Sequence, residues 1–289
     1  MDAENPDKVS RTRGASPVAV IGCGVIGAGW AARLIENGLD VRVYDQAGEA
    51  GARLGIVLDH SRRAYSNLVK APRRQEGEVQ IASSVADAVE GSACVIESVP
   101  ERLEIKQAVY AEIEAAAPIE ATIASSTSGI LPSALQDGMS HPERLIVAHP
   151  FNPVYLIPLV ELVGGKKTTE AAIETASDFL ESMGMVPLRV RKEIEGFIAD
   201  RLLEAMWREA LWLVKDGIAT TGEIDDAVRF GFGLRYAQMG IFDKYRMAGG
   251  EAGMRHFLAQ FGPCLKWPWT KLMDVPEMDD ALIDRIASQ

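Results

Sequence analysis

The stretch "VAVIGCGVIGAGW", Val18–Trp30, joins an aliphatic run to a helical pattern through a glycine-rich turn. Val18–Gly22 reads as a buried strand, apolar and rich in β-branched residues. Val25–Asn37 reads as a helix that stops at Gly38. Gly22, Gly24 and Gly27 between them have G-x-G-x-x-G spacing. That spacing alone says little, because glycine turns are common; a strand before it and a helix after it give it meaning. The first glycine permits the tight turn, the second lets the backbone approach a pyrophosphate, and the third lets helix and strand pack closely. Gly22, Gly24, Val25, Ile26 and Gly27 are therefore expected to hold a dinucleotide. Asp45 ends the next predicted strand, Asp40–Asp45, where a carboxylate accepts hydrogen bonds from ribose hydroxyls and repels a 2′-phosphate. No arginine directly follows Asp45, so the pattern predicts NAD over NADP.

Outward from this unit, strands alternate with helices. Glu49–Lys70 and Leu103–Ala117 read as helices; Ala93–Val99, Ala121–Ser126 and Arg144–Pro150 read as strands. Such alternation implies an α/β fold, a mostly parallel sheet covered by helices on both faces. Tyr155–Val163 and Met185–Val190 add strands around a helix over Thr169–Met183. After "RKEIEG" the pattern turns helical, with Phe197–Lys215 and Thr221–Phe230. The expected organisation is a disordered arm over 1–16, a dinucleotide-binding domain over 17–192 and an all-helical domain over 193–289.

The net charge of −11 speaks against nucleic acid, whose phosphates need a basic surface, and suits a cationic small molecule slightly better than a polyanion. No apolar run reaches membrane-span length, and the N-terminus lacks an apolar signal core. Cys23, Cys94 and Cys264 form no CxxC pair, which argues against a disulfide framework or a zinc site and for the cytoplasm.

Two further stretches carry chemistry. "IASSTSGILPS", Ile123–Ser133, leaves a predicted strand through a cluster of hydroxyls. Ligands in open parallel sheets bind beyond the C-terminal strand ends, which would put Ser128 against a substrate oxygen; capping of a local turn explains the same residues. "HPFNPVYLIPLVELVGG", His149–Gly165, sets one of four histidines at a strand end. A lone histidine there is ordinarily structural. Glu161 alters that reading, because a carboxylate among Leu and Val is costly unless paired. If "PLVELV" folds back beside "RLIVAH", Glu161 reaches the imidazole and fixes its tautomer. His149 would then take the proton of a secondary alcohol as hydride passes to the nicotinamide, with Ser128 and Asn152 positioning the oxygen.

At these motifs, together with "VPERLEIK" (Val99–Lys106) and "GFIADRLLEAMWREAL" (Gly196–Leu211), the chain resembles the 3-hydroxyacyl-CoA dehydrogenase superfamily over nearly its whole length. The resemblance implies a Rossmann-type N-terminal domain followed by a helical C-terminal domain that makes a homodimer. It implies a His149–Glu161 dyad, a substrate serine at Ser128, an asparagine at Asn152, and Glu101 with Lys106 near the nicotinamide ribose. Two departures stand out. Asp200 replaces the asparagine that the family carries in "GF-x-x-NRL", and the helix Glu49–Lys70 is not followed by the helical hairpin that helps hold CoA, although Arg62, Arg63, Lys70, Arg73 and Arg74 keep that region basic. The C-terminal stretch from Gly233 looks most like the carnitine dehydrogenase branch, whose relatives often run somewhat longer. That implies L-carnitine as substrate, with gulonate or another 3-hydroxy acid, a 3-hydroxyacyl-CoA, or a non-catalytic NAD-binding role as alternatives. Aromatic faces and carboxylates bind trimethylammonium groups, so Phe151, Tyr155, Tyr236 and Asp200 are candidate contacts, with Phe242, Tyr245, Trp267 and Trp269 behind them. Arg235, Lys244 or Arg246 would meet the substrate carboxylate. Core packing is the competing explanation for each aromatic.

Overall fold

The computed structural model describes residues 16–68, 75–261, 277 and 279–288. All but Ser16 of the expected disordered arm lies outside them, as do Lys70, Arg73, Arg74, Cys264, Trp267 and Trp269. The chain forms two compact units, Met1–Ile198 and Ala199–Gln289; the division falls later than the expected boundary at Lys192, because the Ile198 amide still pairs with Glu161 of the first unit.

The first unit is built on one eight-stranded sheet. Its strands are β1 (Val18–Ile21), β2 (Val41–Tyr44), β3 (Val79–Ile81), β4 (Cys94–Glu97), β5 (Thr122–Ser125), β6 (Leu145–Pro150), β7 (Leu159–Gly164) and β8 (Val186–Val190). They lie in the order β3-β2-β1-β4-β5-β6-β7-β8. Neighbours are parallel except β6 and β7, which are antiparallel. The crossovers are α1 (Val25–Glu36), α2 (Ala50–Leu68), α3 (Val85–Val89), α4 (Leu103–Ala116), the short α5 (Pro132–Leu135) and α6 (Glu170–Ser182).

Both faces of the sheet are covered, which explains why the central strands read as continuous apolar runs. Side chains alternate along β1, so Val18 and Val20 join one core cluster while Ala19 and Ile21 join the other. Each Val, Ile or Leu fully withdrawn from water contributes about 1.5–3 kcal/mol. Helix α1 buries ten of its twelve residues, so its small side chains let it sit close against its neighbours. Its one arginine is buried too. Arg33 donates to the carbonyls of Tyr155 (3.2 Å), Met183 (2.9 Å) and Gly184 (3.0 Å) and to the Tyr65 hydroxyl (3.0 Å). A guanidinium can be buried because carbonyl acceptors replace its water.

The short helix α3, capped by Ser84, has no counterpart in the sequence pattern, and two strands also differ from it. The three-residue edge strand β3, "VQI", is exposed throughout and carries no apolar run to announce it. Strand β7 begins at Leu159, not Tyr155. The amides of Leu156 and Ile157 both donate to the Pro153 carbonyl at 2.9 Å, which curls 151–158 into a turn before the strand can start.

The second unit is helical: α7 (Ala199–Lys215), α8 (Thr221–Ala227), α9 (Gly233–Tyr236), α10 (Ile241–Ala248), α11 (Gly253–Phe261) and α12 (Asp280–Ala287). A reciprocal Thr220–Glu223 capping box starts α8, satisfying two orphan helix donors. The regular helix expected to reach Phe230 ends at Ala227, and Gly231 leaves helical geometry with φ −104° and ψ −118°. Among the described residues no helix is long and apolar enough to cross a membrane.

Candidate active site

The strand order reverses between β1 and β4, opening a crevice beyond their C-terminal ends. The glycine turn lies there. Gly22 has φ +91°, and a Cβ on it would sit 2.5 Å from the Ser98 carbonyl oxygen; one on Gly27 would sit 1.8 Å from the Gly22 carbonyl oxygen. Protein packing therefore demands both glycines. A Cβ on Gly24 would meet no atom within 4 Å. Gly24 caps α1, whose first turn has no acidic side chain. An open backbone surface at a positive helix end is what a pyrophosphate requires, so the residues present fit the cofactor expected of them.

Asp45 is tied to this turn. Its Oδ2 accepts from the Cys23 amide at 2.6 Å and its Oδ1 from the Ala47 amide at 2.8 Å. Arg53 Nη1 lies 3.8 Å from Asp45 Oδ2 and Arg53 Nη2 lies 3.1 Å from Glu49. A search for an arginine directly after Asp45 misses Arg53, because helix α2 brings it back from eight residues on. Burial, and then the charge of Asp45, push the Cys23 thiol up to about 11. It therefore stays a thiol at neutral pH and is not a nucleophile.

His149 and Glu161 face each other across β6 and β7. His149 Nδ1 lies 3.0 Å from Glu161 Oε2, with the two side chains 6% and 0% exposed. A carboxylate only accepts, so Nδ1 carries the proton and Nε2 is the basic nitrogen. Glu161 Oε1 accepts from the Ile198 amide at 2.8 Å. Phe151 meets the imidazole edge-on at 4.9 Å between ring centroids, and Phe197 tilts against it at 5.5 Å. Phe197 has φ +45°, a left-handed conformation that costs a non-glycine residue about 1–3 kcal/mol. Complete burial of its ring and delivery of the next amide to Glu161 offset that cost. Sequence reasoning did not single out Phe197, since nothing local marks a phenylalanine for positive φ.

The hydroxyl loop leaves β5 beside this pair of strands. Glu101 Oε1 accepts from the Thr127 hydroxyl, the Ser128 amide (3.0 Å) and the Gly129 amide (3.2 Å). Ser128 itself is exposed. Burial disfavours the charged form of Glu101, but the Thr127 hydroxyl, Lys106 and the two amides outweigh it and hold the carboxyl below its ordinary value. Lys106, expected beside the cofactor, is only 1% exposed. It donates to Glu97 Oε1 (2.7 Å) and to the Val99 carbonyl (3.3 Å), and lies 3.4 Å from Glu101 Oε2. Its reach to a ribose is thus through Glu101. Ser126 accepts from the Trp30 indole at 3.0 Å and shares a 3.0 Å hydrogen bond with Ser98.

The remaining candidates divide. Asn152 is exposed in the turn after β6. The Tyr155 ring packs on the core, and its carbonyl accepts from Arg33 and from Tyr65 (2.7 Å), so it serves as a packing residue. Asp200 and Tyr236 belong to the second unit: Asp200 is in the first turn of α7, and the Tyr236 hydroxyl lies 3.0 Å from Lys244 Nζ. Lys244 lies 4.8 and 4.2 Å from the ring centroids of Tyr236 and Tyr245. Its ammonium is taken up by these tyrosines, not presented to a substrate carboxylate.

Comparison with known proteins agrees with this geometry. Residues 17–194 match the model described as 3-hydroxyacyl-CoA dehydrogenase, NAD binding domain, and residues 196–276 match 3-hydroxyacyl-CoA dehydrogenase, C-terminal domain. The L-carnitine dehydrogenase of Mesorhizobium japonicum is 60% identical over 94% of this chain and 75% of its own length. The L-carnitine dehydrogenase/betainyl-CoA thioesterase of Agrobacterium fabrum is also 60% identical over 94% of this chain, which spans 55% of that longer protein. Among solved structures, FHMPC 5-dehydrogenase, an NAD+ dependent dismutase, superposes with a TM-score of 0.80 at 33% identity, covering 95% of this chain and 87% of that one. With its two regions matched in order and its NAD-binding turn intact, the chain belongs to the 3-hydroxyacyl-CoA dehydrogenase family of NAD-dependent dehydrogenases.

Proposed function

We propose that the protein oxidises the 3-hydroxyl of L-carnitine to 3-dehydrocarnitine, with His149 as general base. The observation that carries the chemistry is the 3.0 Å contact of His149 Nδ1 with a fully buried carboxylate. The substrate comes from the relatives that carry the carnitine dehydrogenase name. Gly22, Gly24, Val25, Ile26, Gly27, Asp45 and Glu101 would hold NAD, which would supply the acceptor for the hydride of the carbinol carbon. His149 Nε2 removes the hydroxyl proton, and Glu161 balances the imidazolium that results. Ser128 and Asn152 hold the substrate oxygen. Phe151, beside the imidazole, supplies an aromatic face of the kind a trimethylammonium group favours. NADH formation with L-carnitine, L-gulonate and a short 3-hydroxyacyl-CoA tests the assignment. L-Carnitine is expected to give the highest kcat/KM; gulonate or the thioester ahead of it would overturn the substrate.

We also propose a homodimer joined through the second unit. Leu202, Leu203, Met206 and Trp207 of α7 are about half exposed. A cavity of about 630 Å³ beside them is lined by Leu203, Met206, Trp207, Val214, Ile224 and Phe232, among others. Continuous apolar surface of this kind marks an association face. Sedimentation should give twice the chain mass, and Leu203→Glu with Trp207→Glu should reduce it to one chain. A wild-type protein that sediments as a single chain at micromolar concentration would refute the dimer.

A further inference from the structure

Glu97 closes β4, an otherwise apolar strand, with no exposed surface. Its carboxylate has four donors. The Val99 amide (2.8 Å) and Lys106 Nζ (2.7 Å) reach Oε1; the hydroxyls of Tyr110 and Ser125, each at 2.6 Å, reach Oε2. A buried charge persists when its acceptor positions are filled in this way. Burial, with the nearby Glu97 charge, pushes the Tyr110 phenol well above its ordinary value, so Tyr110 stays a donor.

Two routes lead from Glu97 to the hydroxyl loop. Ser125 stands opposite Glu97 in the β4–β5 register, and its Oγ accepts from the Thr127 amide at 3.4 Å. Lys106 spans Glu97 and Glu101, and Glu101 Oε1 takes the Thr127 hydroxyl and the Ser128 and Gly129 amides. The loop is therefore anchored from beneath by one carboxylate and from its open side by another, with a buried ammonium between them.

We propose that Glu97 is a positioning residue that holds Ser128 where the substrate oxygen arrives. The proposal rests on the reading of Ser128 as a substrate contact given above. Neutralising Glu97 leaves Lys106 with the Glu101 carboxylate and the Val99 carbonyl and weakens the hold on Ser125. The loop then loses the fixed relation between its two anchors, and a serine displaced by a fraction of an ångström loses its effect on turnover.

A double-mutant cycle on the full chain tests this, with kcat and KM for the best alcohol substrate and the thermal midpoint measured for Glu97→Gln, Ser128→Ala and the double variant. Each single variant is expected to lower kcat/KM about tenfold. The double variant should fall no more than about threefold below Ser128→Ala, because both changes remove one function. A silent Glu97→Gln, or losses that multiply in the double variant, would leave Glu97 a structural residue only and overturn the inference while Ser128 keeps its role. A silent Ser128→Ala would instead overturn the reading of Ser128, and the inference with it. If Glu97→Gln does not fold, Ser125→Ala enters the cycle in its place, since it removes one anchor and leaves the buried ion pair intact. Coupling to Ser128→Ala supports the proposal there too, and multiplying losses refute it.

Discussion

Replacing His149 with alanine is expected to lower kcat by about 10²–10⁴-fold, the range over which positioned general bases act, while NAD binding is unchanged. The basis is the division of labour within the ring. Glu161 Oε2 engages Nδ1, so Nε2 alone remains to accept a proton. The NAD-binding turn is built from other segments: Gly22 and Gly27 pack against Ser98 and Gly27 against Gly22, Gly24 leaves the backbone open, and Asp45 binds the Cys23 amide. Cofactor affinity, followed by calorimetry, should therefore survive the loss of the imidazole. The thermal midpoint should drop, because Glu161 would keep the Ile198 amide but lose the Nδ1 hydrogen bond inside the sheet. A kcat within threefold of wild type would remove His149 from the mechanism.

Replacing Lys106 with methionine is expected to cost the first unit about 3–5 kcal/mol, the usual penalty for leaving one half of a buried ion pair. Lys106 and Glu97 are 1% and 0% exposed, so water cannot replace the lost ammonium. The other three donors to Glu97 are neutral hydroxyls and an amide, which satisfy its lone pairs but not its charge. Adding Glu97→Gln to Lys106→Met should recover most of the loss, since the charge is then gone from both sides. The measurement is denaturant unfolding read through the transition of the first unit, because two compact units need not melt together. A Lys106→Met protein as stable as wild type would show that the pair contributes nothing to stability. A double variant no better than the single would show that the cost lies in lost packing and not in the stranded charge.

Much of the first unit was legible because its central strands are buried on both faces and α1, α2, α4 and α6 are long. In the glycine turn, Gly22 and Gly27 could be read because each answers a separate steric demand of the packed backbone. Glu161 could be read because a carboxylate among aliphatic residues must find a partner. The same argument applies to Glu97 in "CVIES", yet its partners, Lys106 and Tyr110, come from a helix whose packing no local pattern displays. Phe197 and Ile198 were out of reach for another reason: their roles depend on a positive φ that phenylalanine does not advertise. The exposed edge strand β3 and the turn before β7 gave weak signals because neither buries an apolar face. In the second unit the helix pattern was readable but its exposed apolar side was not, since helical periodicity does not say whether a face is covered by the same chain.

The pairing of His149 with Glu161 is a matter of parity more than of distance along the chain. They meet because β6 and β7 run in opposite directions and both side chains emerge on one face. Residues added to the 151–158 turn can bulge outward and leave that opposition intact. One residue added inside β7 before Glu161 would send the carboxylate through to the far side of the sheet, onto the side now filled by Leu162. Relatives can therefore change the length of the turn and keep the dyad, and a search that fixes the interval at twelve residues would pass over them.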